Sequence, residues 1–233
     1  MNNNEWGKNT PIVNWLKRQI RQKNTPLIIF CGPTRSGKTA FAMRVAYETW
    51  GKKFTYEHVV NTIEDFALAM KNNTHSCIIL DEATVSLFVY DWANFLHKIF
   101  TVIQDTQAFK HNVAIVILPQ ISHLSTQQKQ MADVIIEMKK IRGWNETAGR
   151  SENQYFYKYL KPHKQYSSLN TEKIWVTEVG TFGPVPLPPD HIWKPYIDKG
   201  QTEFKQKILD DQLDIISQKA KARSSVQVEK PVF

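Results

Sequence analysis

Eight consecutive residues, Gly32-Pro33-Thr34-Arg35-Ser36-Gly37-Lys38-Thr39, fit the spacing G-x-x-x-x-G-K-[ST]. The chemistry that this spacing serves is phosphate binding. Glycines let the backbone fold around phosphates with its N–H groups pointing inward, and the helix that follows adds the positive end of its dipole. In such a loop Lys38 reaches the β- and γ-phosphates and the Thr39 hydroxyl ligates Mg²⁺. A strand-to-helix turn that binds nothing needs glycine but has no use for Lys followed by Thr.

A triphosphatase also needs a second metal contact and a base. Ile78-Ile79-Leu80-Asp81-Glu82 ends an apolar run in two acids. Asp81 is suited to hold a Mg²⁺-bound water, and Glu82, one residue on, to orient or deprotonate the attacking water. Taken alone, an acidic strand end is a weak signal. Some forty residues after a phosphate loop it is a strong one, and the adjacent Glu favours hydrolysis over phosphoryl transfer to an acceptor. A third run, Asn112 to Gln120, delivers an amide at its carboxyl end, where Gln120 can sense a terminal phosphate by donating to its oxygen and accepting from the attacking water.

These residues need a scaffold that brings three strand ends together. Apolar runs at 27–31, 77–80, 113–118 and 134–138 read as buried strands. Helical spacing between them covers 12–23, 37–50, 62–72 (capped by Thr62), 85–109 and 124–132, with a weak strand at 58–61. Strands alternating with helices predict a three-layer α/β fold on a mostly parallel sheet. Beyond residue 140 the pattern changes to strands at 154–160 and 173–179 with no intervening helix, an antiparallel extension of the sheet. Five prolines between Gly183 and Pro195 predict an extended surface crossing, followed by a last helix over 201–222 and a basic tail. The division expected is a basic N-terminal helix (1–25), an ATPase domain with its extension (26–182), and the crossing with a C-terminal helix (183–233).

The chain has 233 residues, of which 42% are apolar, enough to bury a core and to exclude disorder throughout. Thirty Lys and Arg against 22 Asp and Glu give a net charge of +8, which favours an anionic partner. Two cysteines, Cys31 and Cys77, are too few for a disulfide framework and have no zinc-ligand spacing, so both read as reduced and buried. With no long apolar stretch and no apolar signal core, the expectation is a soluble protein of a reducing compartment. Lys139, Lys140, Ile141, Arg142, Gly143 and Trp144, followed by Tyr155, Tyr157, Lys158, Lys161 and Lys164, put basic and aromatic residues on a hairpin-like edge that can track a phosphate backbone. The alternative is a sheet edge protected by lysine.

The order of phosphate loop, Leu80-Asp81-Glu82 and Leu118-Pro119-Gln120 resembles the additional-strand, catalytic-glutamate class of P-loop ATPases. Within it the chain is most similar to the HerA/FtsK-type DNA-translocating branch, including the genome-packaging ATPases of tailless icosahedral viruses and Zot-like plasmid proteins. Phe109-Lys110-His111-Asn112 and the segment from Ile121 to Met138 support the likeness, which covers roughly 26–141. The resemblance implies a RecA-like sheet with the Gln120 strand between the Leu27 and Leu80 strands. It implies Mg²⁺ and ATP as cofactors, with Lys38, Glu82 and Gln120 catalytic and Thr39 and Asp81 at the metal. Double-stranded DNA would be the partner of a ring, commonly a hexamer, completed by a neighbour's arginine. Lys110 and Lys129 stand where relatives often carry Arg, so Arg142, Arg150 and Lys129 are the candidates for that finger, and Lys139, Lys140, Arg142 and Lys158 for DNA contact. A capsid vertex or a membrane component would anchor the ring, in the host cytoplasm or transiently at the virion vertex. Two other readings stay open: a small-molecule or nucleotide kinase, and an assembly factor that ATP gates on DNA without motor activity.

Overall fold

Strand β1 (Leu27–Cys31) is buried along its whole length. Ile28 and Phe30 belong to one apolar cluster, and Leu27, Ile29 and Cys31 to another on the opposite face. A short run of unbroken apolar residues encodes this double burial, because a central parallel strand is covered on both faces. The computed structural model of the chain describes residues 10–81, 110–120, 122, 131–145, 150–165 and 173–202, together with positions 206, 210, 213 and 217.

Six further strands join β1: β2 (Val59–Val60), β3 (Cys77–Leu80), β4 (Val113–Leu118), β5 (Val134–Asn145), β6 (Arg150–Gln165) and β7 (Lys173–Phe182). The sheet order is β2-β3-β4-β1-β5-β6-β7. The first five pair in parallel, and β6 and β7 add antiparallel to them. As expected, β4 lies between β1 and β3. Helices α1 (Pro11–Arg21) and α2 (Lys38–Trp50) pack Ile12, Leu16, Phe41 and Val45 on one face of the sheet. Helix α3 (Ile63–Asn72) packs Phe66 and Met70 on the other. Thr62 caps α3, accepting from the Asp65 N–H at 3.1 Å. The fold is the three-layer α/β arrangement expected.

Polar groups set the strand registers. The Asp133 carboxylate accepts from the Leu27 N–H at 2.8 Å, and the Asp133 N–H donates to the Leu27 carbonyl at 2.9 Å, locking the start of β1 to the entry of β5. Buried Asn112 donates to the Met70 and Asn73 carbonyls and accepts from the Ser76 N–H, tying the end of α3 to the starts of β3 and β4.

The structure departs from the sequence reading chiefly at three places, besides β7 running to Phe182 instead of 179, the first helix ending at Arg21 instead of 23 and the weak strand at 58–61 shrinking to Val59–Val60. Gly37 takes φ +81° as the cap, so α2 begins at Lys38 and not at 37. Strand β5 continues to Asn145 instead of ending at 138, and β6 spans 150–165 instead of 154–160. The two pair continuously from Ile135↔Leu160 to Asn145↔Arg150, and ladder hydrogen bonds extend a strand whatever its side chains, so the apolar runs mark only the part inside the core. The proline-rich crossing stays irregular only to Pro189. There the chain turns into helix α4 (Asp190–Pro195), with Pro189 as its cap and Asp190 in the first turn, and then a π-helical turn, Tyr196–Gln201. Positions 202, 206, 210, 213 and 217 of the expected last helix are helical. The helices expected over 85–109 and 124–132 lie outside the described residues.

Candidate nucleotide site

The glycines of the 32–39 loop are required by close contacts. Gly32 has φ +142°, and a Cβ there would lie 2.6 Å from the Met138 carbonyl oxygen of β5. Gly37 has φ +81°, with a Cβ position 3.2 Å from the Tyr155 ring of β6. Between them, Lys38 Nζ donates to the Gly32 and Pro33 carbonyls, each at 2.9 Å, so the ammonium is held inside the loop's own curve. The Gly32 N–H donates to Pro119 O at 3.3 Å, which joins the loop to the end of β4. Thr39, in the first turn of α2, donates its hydroxyl to Asp81 Oδ1 at 2.9 Å. Asp81 is 1% exposed at the tip of β3. Three strand ends thus meet at one place.

They enclose a cavity of about 640 Å³, within the range of small-molecule sites. One wall is the loop 34–39 with Ala40, Asp81, Ile117, Leu118 and Pro119. The other is Tyr155, Val185, Pro186, Leu187, Trp193 and Gln201. Arg35 and Lys38 against Asp81 give this lining a positive balance, suited to an anion. The fit to a phosphate is tested by Ser36. Its hydroxyl is buried, the residue 1% exposed, and the oxygen meets no partner among the described residues, although buried polar atoms are nearly always paired. A donor of this kind in a loop bounded by the orphan N–H groups of a helix start fits a phosphate oxygen. The Thr39–Asp81 oxygen pair beside it fits a hard divalent cation.

The remaining predicted residues are distributed unevenly. Gln120 is exposed, accepts from the Ser122 hydroxyl at 3.2 Å, and is not among the cavity-lining residues, although Ile117–Pro119 just before it are. Glu82 and Lys129 lie outside the described residues. Arg150 opens β6 at the far end of the hairpin, its backbone paired with Asn145. β5 pairs with β1 only as far as Glu137↔Cys31, so Lys139, Lys140 and Arg142 stand on a hairpin that continues past the edge of the sheet carrying the loop. All three are exposed. Alternation along the strand divides them: Lys140 and Arg142 share the face of Met138 and Tyr155, while Lys139 shares the opposite face with Lys158.

Lys158 is engaged with Glu178 at 2.6 Å. That hydrogen bond raises the lysine above its ordinary pKa and holds the Glu178 carboxyl below its own. Tyr157, read from sequence among the basic and aromatic edge residues, is instead 1% exposed, with its ring 4.5 Å from that of Phe41. It points into the core because the pleat turns alternate residues inward, and burial pushes its hydroxyl pKa up. Both cysteines are buried and free, as expected. Burial, helped by Glu137 and opposed by Lys38, pushes the Cys31 thiol up to about 12.

The second wall was not legible in the sequence. Tyr155 was visible only as one aromatic among several, and Trp193, Tyr196 and Gln201 carry no spacing signature. The structure ties this segment down through α2. Arg44 donates to the Leu187 carbonyl at 3.1 Å, and the Tyr47 and His191 rings lie 5.4 Å apart.

No protein-family model and no curated protein matches the sequence. Among solved structures the chain is similar to the flagellar accessory protein FlaH of Methanocaldococcus jannaschii, at 13% identity and a TM-score of 0.36, over 70% of this chain and 89% of that one. It is also similar to a KaiC-like protein of Pyrococcus horikoshii, at 16% identity and a TM-score of 0.31, over 66% and 86% of the two chains. Strand order and loop geometry decide the architecture. The fold is of the P-loop kind. No helix among the described residues is long and apolar enough to cross a membrane.

Proposed function

We propose that the chain binds and hydrolyses Mg-ATP and couples hydrolysis to movement of double-stranded DNA, as a subunit of a ring. The observation that carries the nucleotide reading is the convergence of Lys38, Thr39 and Asp81 on one cavity beside the unpartnered Ser36 hydroxyl. The loop N–H groups, Ser36 and Lys38 bind the phosphates, and Thr39 and Asp81 hold the cation, whose chemistry when bound is to offset charge on the phosphate oxygens. Glu82, next to Asp81 in the chain, is proposed as the residue that takes the proton from the attacking water. Gln120 is proposed to reach the terminal phosphate by a rotation that releases Ser122. The apolar second wall receives the nucleoside.

The DNA reading is supported by the resemblance, by the net charge of +8, and by the exposed Lys139, Lys140 and Arg142 on the hairpin beside the site. Genome packaging by a virus or a related plasmid element is the setting that the resemblance favours. ATPase activity measured against duplex DNA at several salt concentrations tests it. The expected result is DNA-stimulated turnover, with apparent DNA affinity falling roughly 40-fold between 50 and 200 mM salt for three phosphate contacts. Hydrolysis that DNA leaves unchanged contradicts the motor reading, and turnover that depends on an added phosphate acceptor favours a kinase.

A further inference from the structure

Behind the cavity, Asp81 makes a second contact that the phosphate-site motifs do not anticipate. The Tyr196 hydroxyl donates to Asp81 Oδ2 across a sequence separation of 115 residues. Both residues are 1% exposed. Asp81 lines the cavity, and Tyr196 is not among its lining residues. Thr39 occupies the other oxygen, Oδ1, at 2.9 Å. The carboxylate is therefore held at both oxygens, with a different element on each.

The direction of the Tyr196 bond is fixed by a proton count. Gln201 Nε2 donates to Tyr196 Oη at 3.2 Å. A phenol has one proton and an amide nitrogen only donates, so the tyrosine proton is committed to Asp81. The π-helical turn makes this arrangement possible. Residues five apart stack in its i→i+5 geometry, whereas an α-helix would put Gln201 on a different face from Tyr196. Thr202 repeats the spacing, donating to the Ile197 carbonyl at 3.0 Å. π turns are rare and frequently found at functional sites.

We propose that Tyr196 is a positioning residue for the cation site, fixing the rotation of the Asp81 carboxylate through a Gln201–Tyr196–Asp81 chain so that its cavity-facing lone pairs stay on the cation beside Thr39. The inference rests on the nucleotide reading above and extends it. It makes the segment after Pro189, and not only the three strand tips, part of the metal-binding apparatus. A carboxylate free to turn would spread its lone pairs over several orientations, and the cation would have to order it on binding.

The test uses the full chain and a fluorescent ATP analogue, with Mg²⁺ titrated into the nucleotide complex. Tyr196→Phe keeps the ring, which stacks on Trp193 at 5.6 Å between centroids, and removes only the hydroxyl. The expected result is an Mg²⁺ midpoint raised about tenfold, the loss typical of one hydrogen bond to a charged group. Affinity for the nucleotide without Mg²⁺ stays at the wild-type value, because the loop makes the phosphate contacts. Gln201→Leu, which removes the hydrogen bond donated into Tyr196 Oη, shifts the midpoint in the same direction by a smaller factor; because Gln201 also lines the cavity, this variant is read by the ratio of Mg²⁺-bound to Mg²⁺-free affinity. It also serves as the test if Tyr196→Phe does not fold. An unchanged or lowered midpoint in these variants overturns the role of Tyr196 while leaving the nucleotide site standing. In Tyr196→Phe, a parallel loss of Mg²⁺-free binding shows a merely structural contact and also overturns it. Wild-type protein that binds no nucleotide brings down the site reading itself.

Discussion

The two walls of the cavity are built on different principles. The phosphate wall is made largely of backbone: two glycines at positive φ, one of them with no room for a side chain, helix-start N–H groups, and Ser36, Lys38 and Thr39 at fixed offsets in the loop. The facing wall is made of side chains from 155 to 201, held by tertiary contacts such as Arg44 on the Leu187 carbonyl. A backbone device has one geometry and hence a readable spacing. A side-chain wall has many equivalent solutions and hence none. On this account substitutions in the first wall abolish chemistry or folding, and those in the second tune affinity.

The largest expected effect is on chemistry, from Lys38 in the first wall and from Glu82, proposed above as the base. Lys38→Ala and Glu82→Gln should each lower ATP turnover at least ~100-fold with the circular-dichroism spectrum unchanged. Unaltered turnover in the Glu82→Gln protein removes that residue as the base. Next comes Gly32→Ala, which must push the Met138 carbonyl aside; thermal unfolding should register a loss of at least ~3 kcal/mol. Gly51→Ala is the comparison, also at positive φ (+59°) but with no atom within 4 Å of the added carbon, and should cost less, about 1–3 kcal/mol of backbone strain alone. Equal losses at the two glycines would show that backbone conformation, and not the approach of β5 to the loop, sets the requirement.

Smaller effects are expected from the second wall and from pH. Leu187→Ser should weaken nucleotide binding by about fivefold, with maximal turnover preserved. A fall in maximal turnover of the same size would mean that the two walls do not divide the work. Burial disfavours the charged forms of Cys31 and Tyr159 and pushes both groups up to about 12. Both lie above the ordinary values of 9.0 and 10.0, so their stabilising contribution is complete below about pH 9 and is lost as pH rises towards 12. Unfolding midpoints should hold up to pH 9 and then decline, and native Cys31 should resist alkylation at pH 8.

Legibility in the sequence followed the same division. The strands at 27–31, 77–80 and 113–118 were readable because double burial leaves uninterrupted apolar runs, and the order β3-β4-β1 followed from the resemblance. The ends of β5 and β6 were not, since their outer halves are held by ladder hydrogen bonds that Lys139, Arg142 and Asn153 make as well as valine does. Helix α4 was masked by Pro189 at its cap and Pro195 inside its last turn, since an interior proline argues against a helix in the sequence. Tyr196 was out of reach because nothing local marks a tyrosine whose partner lies 115 residues away.

The central claim is that Lys38, Thr39 and Asp81 form one Mg-nucleotide site. Calorimetric titration of ATP into wild type, Lys38→Ala and Asp81→Asn, each with and without Mg²⁺, tests it most directly. The account predicts Mg²⁺-enhanced binding in wild type, no measurable binding in Lys38→Ala, and binding that no longer responds to Mg²⁺ in Asp81→Asn. Equal, Mg²⁺-responsive binding in all three proteins would contradict it.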